Sequence, residues 1–237
     1  MLTRHVHVYG DDIALVVART ELQAKKAMLK IKVEYDEYPV YLTPEAAMAP
    51  DAMRIHPERE NAFASSEVGF GDVKQSLKDA DYVIARHLTT PVQQHLHLEN
   101  QIAVAYQSSD QRWTCISSTQ IPHICRRIVA QANGIDWSQV RVKKPFIGGG
   151  FGNKQEIIIE PLVVALSRAL GGCPVQIALT REETIAYTRT RHAISYDMKI
   201  GVNQDGHLTA IDCDVLSNQG GYASHGHAVG GKGGTFI

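Results

Sequence analysis

Paired cysteines, long apolar runs and an excess of charge of either sign are all missing from this sequence. Its four cysteines, Cys115, Cys125, Cys173 and Cys213, lie far apart with no CxxC pair. That argues against a zinc knuckle, an iron–sulfur site or a disulfide framework, and makes free buried thiols the expectation. No stretch approaches the roughly 18 uninterrupted apolar residues of a membrane-spanning helix, and the opening MLTRHVHVYGDD has no long apolar run. A cytoplasmic protein with neither insertion nor export encoded is therefore expected. Lys and Arg total 24 against 25 Asp and Glu, a formal net charge of -1, so no global field exists to hold nucleic acid, an anionic membrane or a polyacidic partner. What is present, 237 residues with 44% hydrophobic and 21% charged, suffices for one large or two small domains with a real core.

The beginning of the chain reads as a small βαβ layer: IALVVA (Ile13 to Ala18) as a strand, a helix opened by the Thr20 to Gln23 capping spacing, then KVEYDEY as a half-buried strand. From Thr43 to Phe70 the scattered prolines Pro44, Pro50 and Pro57 suit a linker without a clear period. Beyond it DYVIARHL, QIAVAY, RWTCISS, VRVKKP and VQIAL are strand candidates. Pro122 opens and Gly134 stops one helix, while Ile157 to Leu170 predicts a helix apolar nearly all round, kinked early by Pro161 and ended by Gly171 and Gly172. Such a helix needs covering, so a large exposed apolar face is expected. A further capping signal spans Thr180 to Glu183, and a hairpin pivots on Asn203 to Gly206. The mixture points to an α+β fold.

The densest chemical signal is GGGFGNK, Gly148 to Lys154, between a strand and a helix, where glycines let backbone N–H groups approach an anion. A Walker loop needs Gly-Lys-Ser/Thr, and a dinucleotide fingerprint needs a third glycine where Asn153 stands, so both patterns fail. A tight turn serving only packing explains the run as well. In SSTQIPH, Ser117 to His123, the bland reading is helix capping, with Gln120 the exception because an amide both donates and accepts. His95 and His97 alternate along a strand candidate, as do His225 and His227; either pair suggests a metal, yet two ligands make no site and structural histidines are favoured. Glu156 and Glu160 stand four apart on one predicted helical face, as a carboxylate pair or an exposed stripe with Ser167. Arg189, Arg191 and His192 form a cationic group that holds an anion or covers a surface.

Taken together, SSTQIPH, RVKKPFIGGGFGNKQE, TREETIAYTRTRHA and DVLSNQGGYASHG resemble the molybdopterin-binding subunit of the xanthine dehydrogenase and aldehyde oxidase family, most of all bacterial three-subunit xanthine dehydrogenases. The resemblance implies an α/β hammerhead-like remnant over 1–43, a linker over 44–79, and a first, C-terminally incomplete molybdopterin-binding domain with a mixed sheet over 80–237. It implies a molybdenum hydroxylase that oxidises N-heterocycles such as hypoxanthine or xanthine with water as oxygen source. Partner subunits would carry 2Fe-2S clusters and FAD. By position, Gln120, Gly150, Phe151 and Gly152 would hold the molybdenum–molybdopterin cofactor, with Gln120 and Phe151 against the oxo ligands of the metal. Gln155 falls where the family often has a purine-orienting glutamate, and it cannot supply that negative charge. The second cofactor domain and the general-base glutamate would lie beyond Thr235, Phe236 and Ile237, so no residue here is that base and the chain alone would not turn over. The competing expectations are a non-catalytic remnant or assembly module whose glycine loop is only structural, and a nucleotide-phosphate binder stabilised by ATP or NAD.

Overall fold

The computed structural model describes residues 1–62, 64–226 and 228–229. In chain order its elements are α1 (Glu21–Met28), α2 (Pro44–Ala47), α3 (Val73–Asp79), β1 (Tyr82–Thr90), β2 (Ile102–Gln107), β3 (Trp113–Ser117), α4 (Pro122–Asn133), β4 (Val140–Lys143), α5 (Glu160–Ala169), β5 (Val175–Ala178), α6 (Arg181–Tyr187), β6 (Ala193–Val202) and β7 (Leu208–Asn218). They divide into two compact units, each built from two stretches of chain: Met1–Asp36 with Gln94–Thr190, and Glu37–Gln93 with Arg191–Ile237. Helices and sheets mix in both, as expected of an α+β chain.

The first unit is organised by a four-stranded mixed sheet in the order β4-β3-β2-β5. β2 runs antiparallel to β3 and β5, whereas β3 and β4 are parallel and are joined through α4, the crossover that a parallel pair requires. Pro122 sits in the first turn of α4, and Gly134 closes it at φ +61°, where a residue with a Cβ would be strained. Ala103 and Ala105 of β2, Cys115 of β3, Cys125, Val129 and Ala130 of α4, and Val163 and Val164 of α5 make one buried cluster. Alanines on β2 let α5 approach closely, and each of the two α5 valines gains roughly 1.5–3 kcal/mol from burial. The sheet and α4 thus cover α5 from within the unit, which removes the reason for expecting an exposed apolar face over that helix. Nor does Pro161 kink it: α5 starts at Glu160, so the proline occupies a first-turn position where its missing N–H costs nothing.

Ile13 to Ala18 and the KVEYDEY segment are not strands. Strand propensity is expressed only through a paired neighbour, and neither segment has one among the described residues; Val17, Ile31, Val33 and Tyr35 remain exposed. The helix between them does form, with the Thr20 hydroxyl accepting the Gln23 N–H at 3.3 Å.

The second unit carries the antiparallel sheet β1-β6-β7. β1 lies along β6 from Tyr82 opposite Val202 to Thr90 opposite Ile194, and β6 turns into β7 at Asn203–Gly206, where the Gly206 N–H donates to the Asn203 carbonyl at 3.0 Å. Gly201 of β6 is closely covered: a Cβ there would fall 2.7 Å from Thr209 Oγ1 on β7 and 3.0 Å from the Ala80 Cβ at the end of α3. The proline-scattered stretch before α3 is not featureless. It contains α2, and Asn61 ties it by donating to the carbonyls of Ala47 (2.8 Å) and Met53 (3.0 Å) while accepting from the Ile55 N–H (2.8 Å). Among the described residues no helix is long and apolar enough to cross a membrane. The cysteines are free, but only Cys115 and Cys125 are buried; Cys173 is exposed.

Candidate functional site

The glycine run of the first unit folds into a turn that doubles back on itself. Gly149 and Gly152 sit at φ +93° and +97°, and between them Phe151 holds φ +52°, a left-handed conformation that costs a non-glycine residue about 1 kcal/mol or more. The Asn153 N–H donates to the Gly150 carbonyl at 2.8 Å, and a single 3-10 turn over Asn153–Gln155 follows. No α-helix begins there: α5 starts only at Glu160, so the loop is not followed directly by the helix that the sequence led one to expect. The Phe151 ring stands 74% exposed.

The SSTQ segment continues β3 and arrives at the same turn. Ser117 donates to the Glu160 carboxylate at 2.6 Å, and Thr119 accepts the Ile121 N–H at 3.1 Å. α4 has no side-chain cap, so helix capping is not what these hydroxyls do. The Gln120 N–H donates to the Lys154 carbonyl at 2.9 Å, and its Oε1 accepts the Gly152 N–H at 3.1 Å. A Cβ on Gly150 would fall 2.5 Å from that oxygen; the glycine is there because the amide of Gln120 fills the space. With its oxygen engaged, Gln120 is oriented and its Nε2 has no hydrogen-bond partner among the described residues. The structure therefore brings Gln120, Gly150, Phe151 and Gly152 together across about thirty residues of chain. Gln155, at the end of the 3-10 turn, is half-buried beside them.

What holds this turn in place was invisible in the spacing. Asn153, fully buried, points its Nδ2 at Gln94 Oε1 (3.0 Å), Thr188 Oγ1 (2.9 Å) and the Arg189 carbonyl (2.8 Å), while its Oδ1 accepts from Gln101. Lys154 is buried too and ends 2.5 Å from Glu99 Oε2. Glu99 also accepts the Gly148 N–H at 3.0 Å. Partial burial works to raise the Glu99 pKa, but the Lys154 ammonium and the Gly148 N–H outweigh it, and the carboxyl titrates below its usual range. With Lys154 committed to Glu99, the loop has no lysine left to meet a nucleotide phosphate. That argues against a lysine-assisted phosphate loop of the Walker kind.

The remaining candidates separate. Leu96 takes φ +50°, which breaks the alternation expected of His95 and His97; His97 is fully buried, its Nδ1 against the Glu99 carbonyl at 2.5 Å and its Nε2 unpartnered. Among the described residues no group of three metal-binding side chains exists, and His227 lies outside them. Glu156 and Glu160 share no helical face: Glu156 closes the 3-10 turn, 4.0 Å from Arg189, and Glu160 opens α5. Burial pushes the Glu160 carboxyl above its ordinary pKa against the opposing hydrogen bond from Ser117. Ser167, far from forming an exposed stripe, is buried and donates to the Cys173 carbonyl at 2.8 Å. Arg189 belongs to the first unit, Arg191 and His192 to the second.

Known proteins share both this sequence and this fold. A family model described as the molybdopterin cofactor-binding domain matches residues 55–237. The chain is 51% identical over its whole length to a putative xanthine dehydrogenase molybdenum-binding subunit of Escherichia coli (strain K12), of which it covers 31%. It is 32% identical over 95% of its length to a probable hypoxanthine oxidase of the same organism, covering 27% of that protein. The solved aldehyde oxidoreductase from Desulfovibrio gigas superposes with a TM-score of 0.86 at 30% identity, over 90% of this chain and 23% of the other. The chain thus spans about a third or less of the length of these two curated relatives.

Proposed function

The chain belongs to the molybdopterin cofactor-binding domain family, and from that premise we propose that it supplies one wall of the cofactor pocket of a molybdenum hydroxylase acting on N-heterocycles of the hypoxanthine and xanthine class. The fit rests on the turn itself. Uncharged donors can hold an oxo-bearing metal group without adding a charge to the site. Gln120 offers that donor: Oε1 is fixed by Gly152, leaving Nε2 to donate. This bond is the observation that carries the proposal.

Gly150 and Gly152 let the backbone come close, and the exposed Phe151 ring supplies an apolar wall beside it. On this reading Gln155 would orient the substrate ring, able to donate and accept but bringing no charge. When bound, the molybdenum–pterin group supplies the two-electron redox chemistry and the oxygen transfer. The chain's own residues bind and orient it, and hold the Gly148 to Lys154 turn rigid through Asn153 and the Lys154–Glu99 pair. The proton-abstracting glutamate and the other wall come from the rest of the length that the relatives possess. On this reading partner subunits in the cytoplasm would carry 2Fe-2S clusters and FAD and would take up the electrons. On the same reading residues 1–43 are part of a hammerhead-like domain joined by 44–79 to the cofactor domain from residue 80.

The test is to purify the chain alone and together with the products of its neighbouring genes, then measure molybdenum by elemental analysis and pterin by fluorescence. Cofactor retained in the complex is the expected result. None under either condition overturns the proposal in favour of a non-catalytic remnant.

A further inference from the structure

A cleft of about 290 Å³ lies in the first unit along the outer side of β4, and nothing in the cofactor reading uses it. Five of its lining side chains are basic: Arg112, His123, Arg126, Arg141 and Lys144. No carboxylate lines it among the described residues. Asp110, just outside, lies 2.7 Å from Arg141 and 3.9 Å from Arg112, so it offsets one charge of four permanent ones. In a chain of net charge -1 this is a marked local excess. Arg126 is held in place, donating through Nε and Nη2 to the Trp137 carbonyl at 2.9 and 2.6 Å. Lys144 and His123 have no hydrogen-bond or ion-pair partner among the described residues.

β4, three of whose residues line the cleft, carries a second demand. Among the described residues β4 is the edge of its sheet and pairs only with β3, so one row of its backbone N–H and C=O groups faces outward beside Val140 and Val142. A small phosphoanion would answer the cations and leave that row open, and a neutral strand would pair with the row and leave the cations repelling one another. One ligand answers both. We propose that an extended acidic segment of a partner polypeptide adds to β4 as a fifth strand, with its carboxylates meeting Arg112, Arg126, Arg141 and Lys144. β4 offers about 13 Å of edge at ~3.3 Å per residue, which a short acidic segment fills. This proposal does not depend on the cofactor reading.

Binding of a fluorescein-labelled peptide of alternating glutamate and valine to the full chain, followed by fluorescence anisotropy, tests it. Saturable binding is expected at low salt, weakening as salt rises, and reduced about ten-fold or more when alternate backbone nitrogens of the peptide are methylated, because strand addition uses main-chain bonds. The double variant Arg141→Glu and Lys144→Glu, shown by circular dichroism to be folded, is expected to lose binding. If that variant does not fold, the methylated peptide and the salt series on the wild-type chain decide the matter. Equal binding of the methylated peptide, equal binding of a lysine–valine peptide, displacement by inorganic pyrophosphate as effective as by the unlabelled acidic peptide, or no binding at all would each overturn it.

Discussion

Gln120 shows how a single amide can be both structural and chemical. Its oxygen is occupied by the Gly152 N–H and its nitrogen is left available, so the two ends of one side chain do different work. Replacing it by alanine is expected to lower molybdenum retention in the assembled complex, and to lower turnover by roughly 10²-fold, the cost typical of losing one preorganised donor to a developing oxyanion. Gly150→Ala strikes the same amide from the other side, since the new Cβ would sit 2.5 Å from Oε1. The two substitutions therefore should not add: the double variant should retain about as much molybdenum as the worse single one. Asn153→Ala leaves Gln101, Gln94 and Thr188 without their shared partner, and a loss of about 2–4 kcal/mol in unfolding free energy is expected by denaturant titration. At this scale the sequence was legible where a residue sits in a compact motif. Gln120 stood out as an amide beside a β end and the glycine run as a dense local motif, while the Phe151–Gly152 pair within it was marked by the family resemblance. Glu99, Gln94 and Gln101 did not, because their partners lie fifty or more residues away and no local period reports such a contact.

Elements were readable when their stabilising partners were close in sequence. The Thr180–Glu183 capping box forms as the spacing predicts, and so do the Asn203–Gly206 turn and the Gly134 stop, since each is closed by bonds within a few residues. The two strands expected around α1 failed for the opposite reason, because a strand is completed only by a neighbour. Pro161 was misjudged through an error of helix start: displaced to Glu160, the same proline moves from breaker to initiator. The first turn of α5 and the segment before β2 also carry two carboxylates with opposite pH behaviour. Glu99 has a lowered pKa in the fold, so its contribution is present above the usual carboxylate value and is lost as pH falls through the folded one. Glu99→Gln should melt below the wild type at pH 7, with the gap closing in acid. Glu160 has a raised pKa, so folding gains from it at low pH and that gain is lost as pH rises. Glu160→Gln stays neutral throughout, and should melt above the wild type at pH 7, with no advantage once the wild-type carboxyl is protonated. Thermal melts across pH check both, and gaps of the same sign would contradict the assignment.

On the scale of the molecule, the chain does not fold in the order in which it is written. Each compact unit takes one stretch from the first hundred residues and one from later, which hydrophobic periodicity cannot reveal, because it reports the face of an element and not its neighbour. Net charge averages over the whole chain and so hides local detail: with a formal total of only -1, cationic side chains still gather beside one edge strand. The central claim is that the Gln120 turn and the Phe151 turn converge on one cofactor. Anomalous X-ray diffraction at the molybdenum edge, from crystals of the assembled complex, tests it most directly. A metal peak is predicted beside the Phe151–Gly152 turn, with Gln120 Nε2 at hydrogen-bond distance, about 2.9 Å, from an oxygen ligand of the metal. A peak elsewhere in the complex, with Gln120 touching no part of the cofactor, would contradict the account.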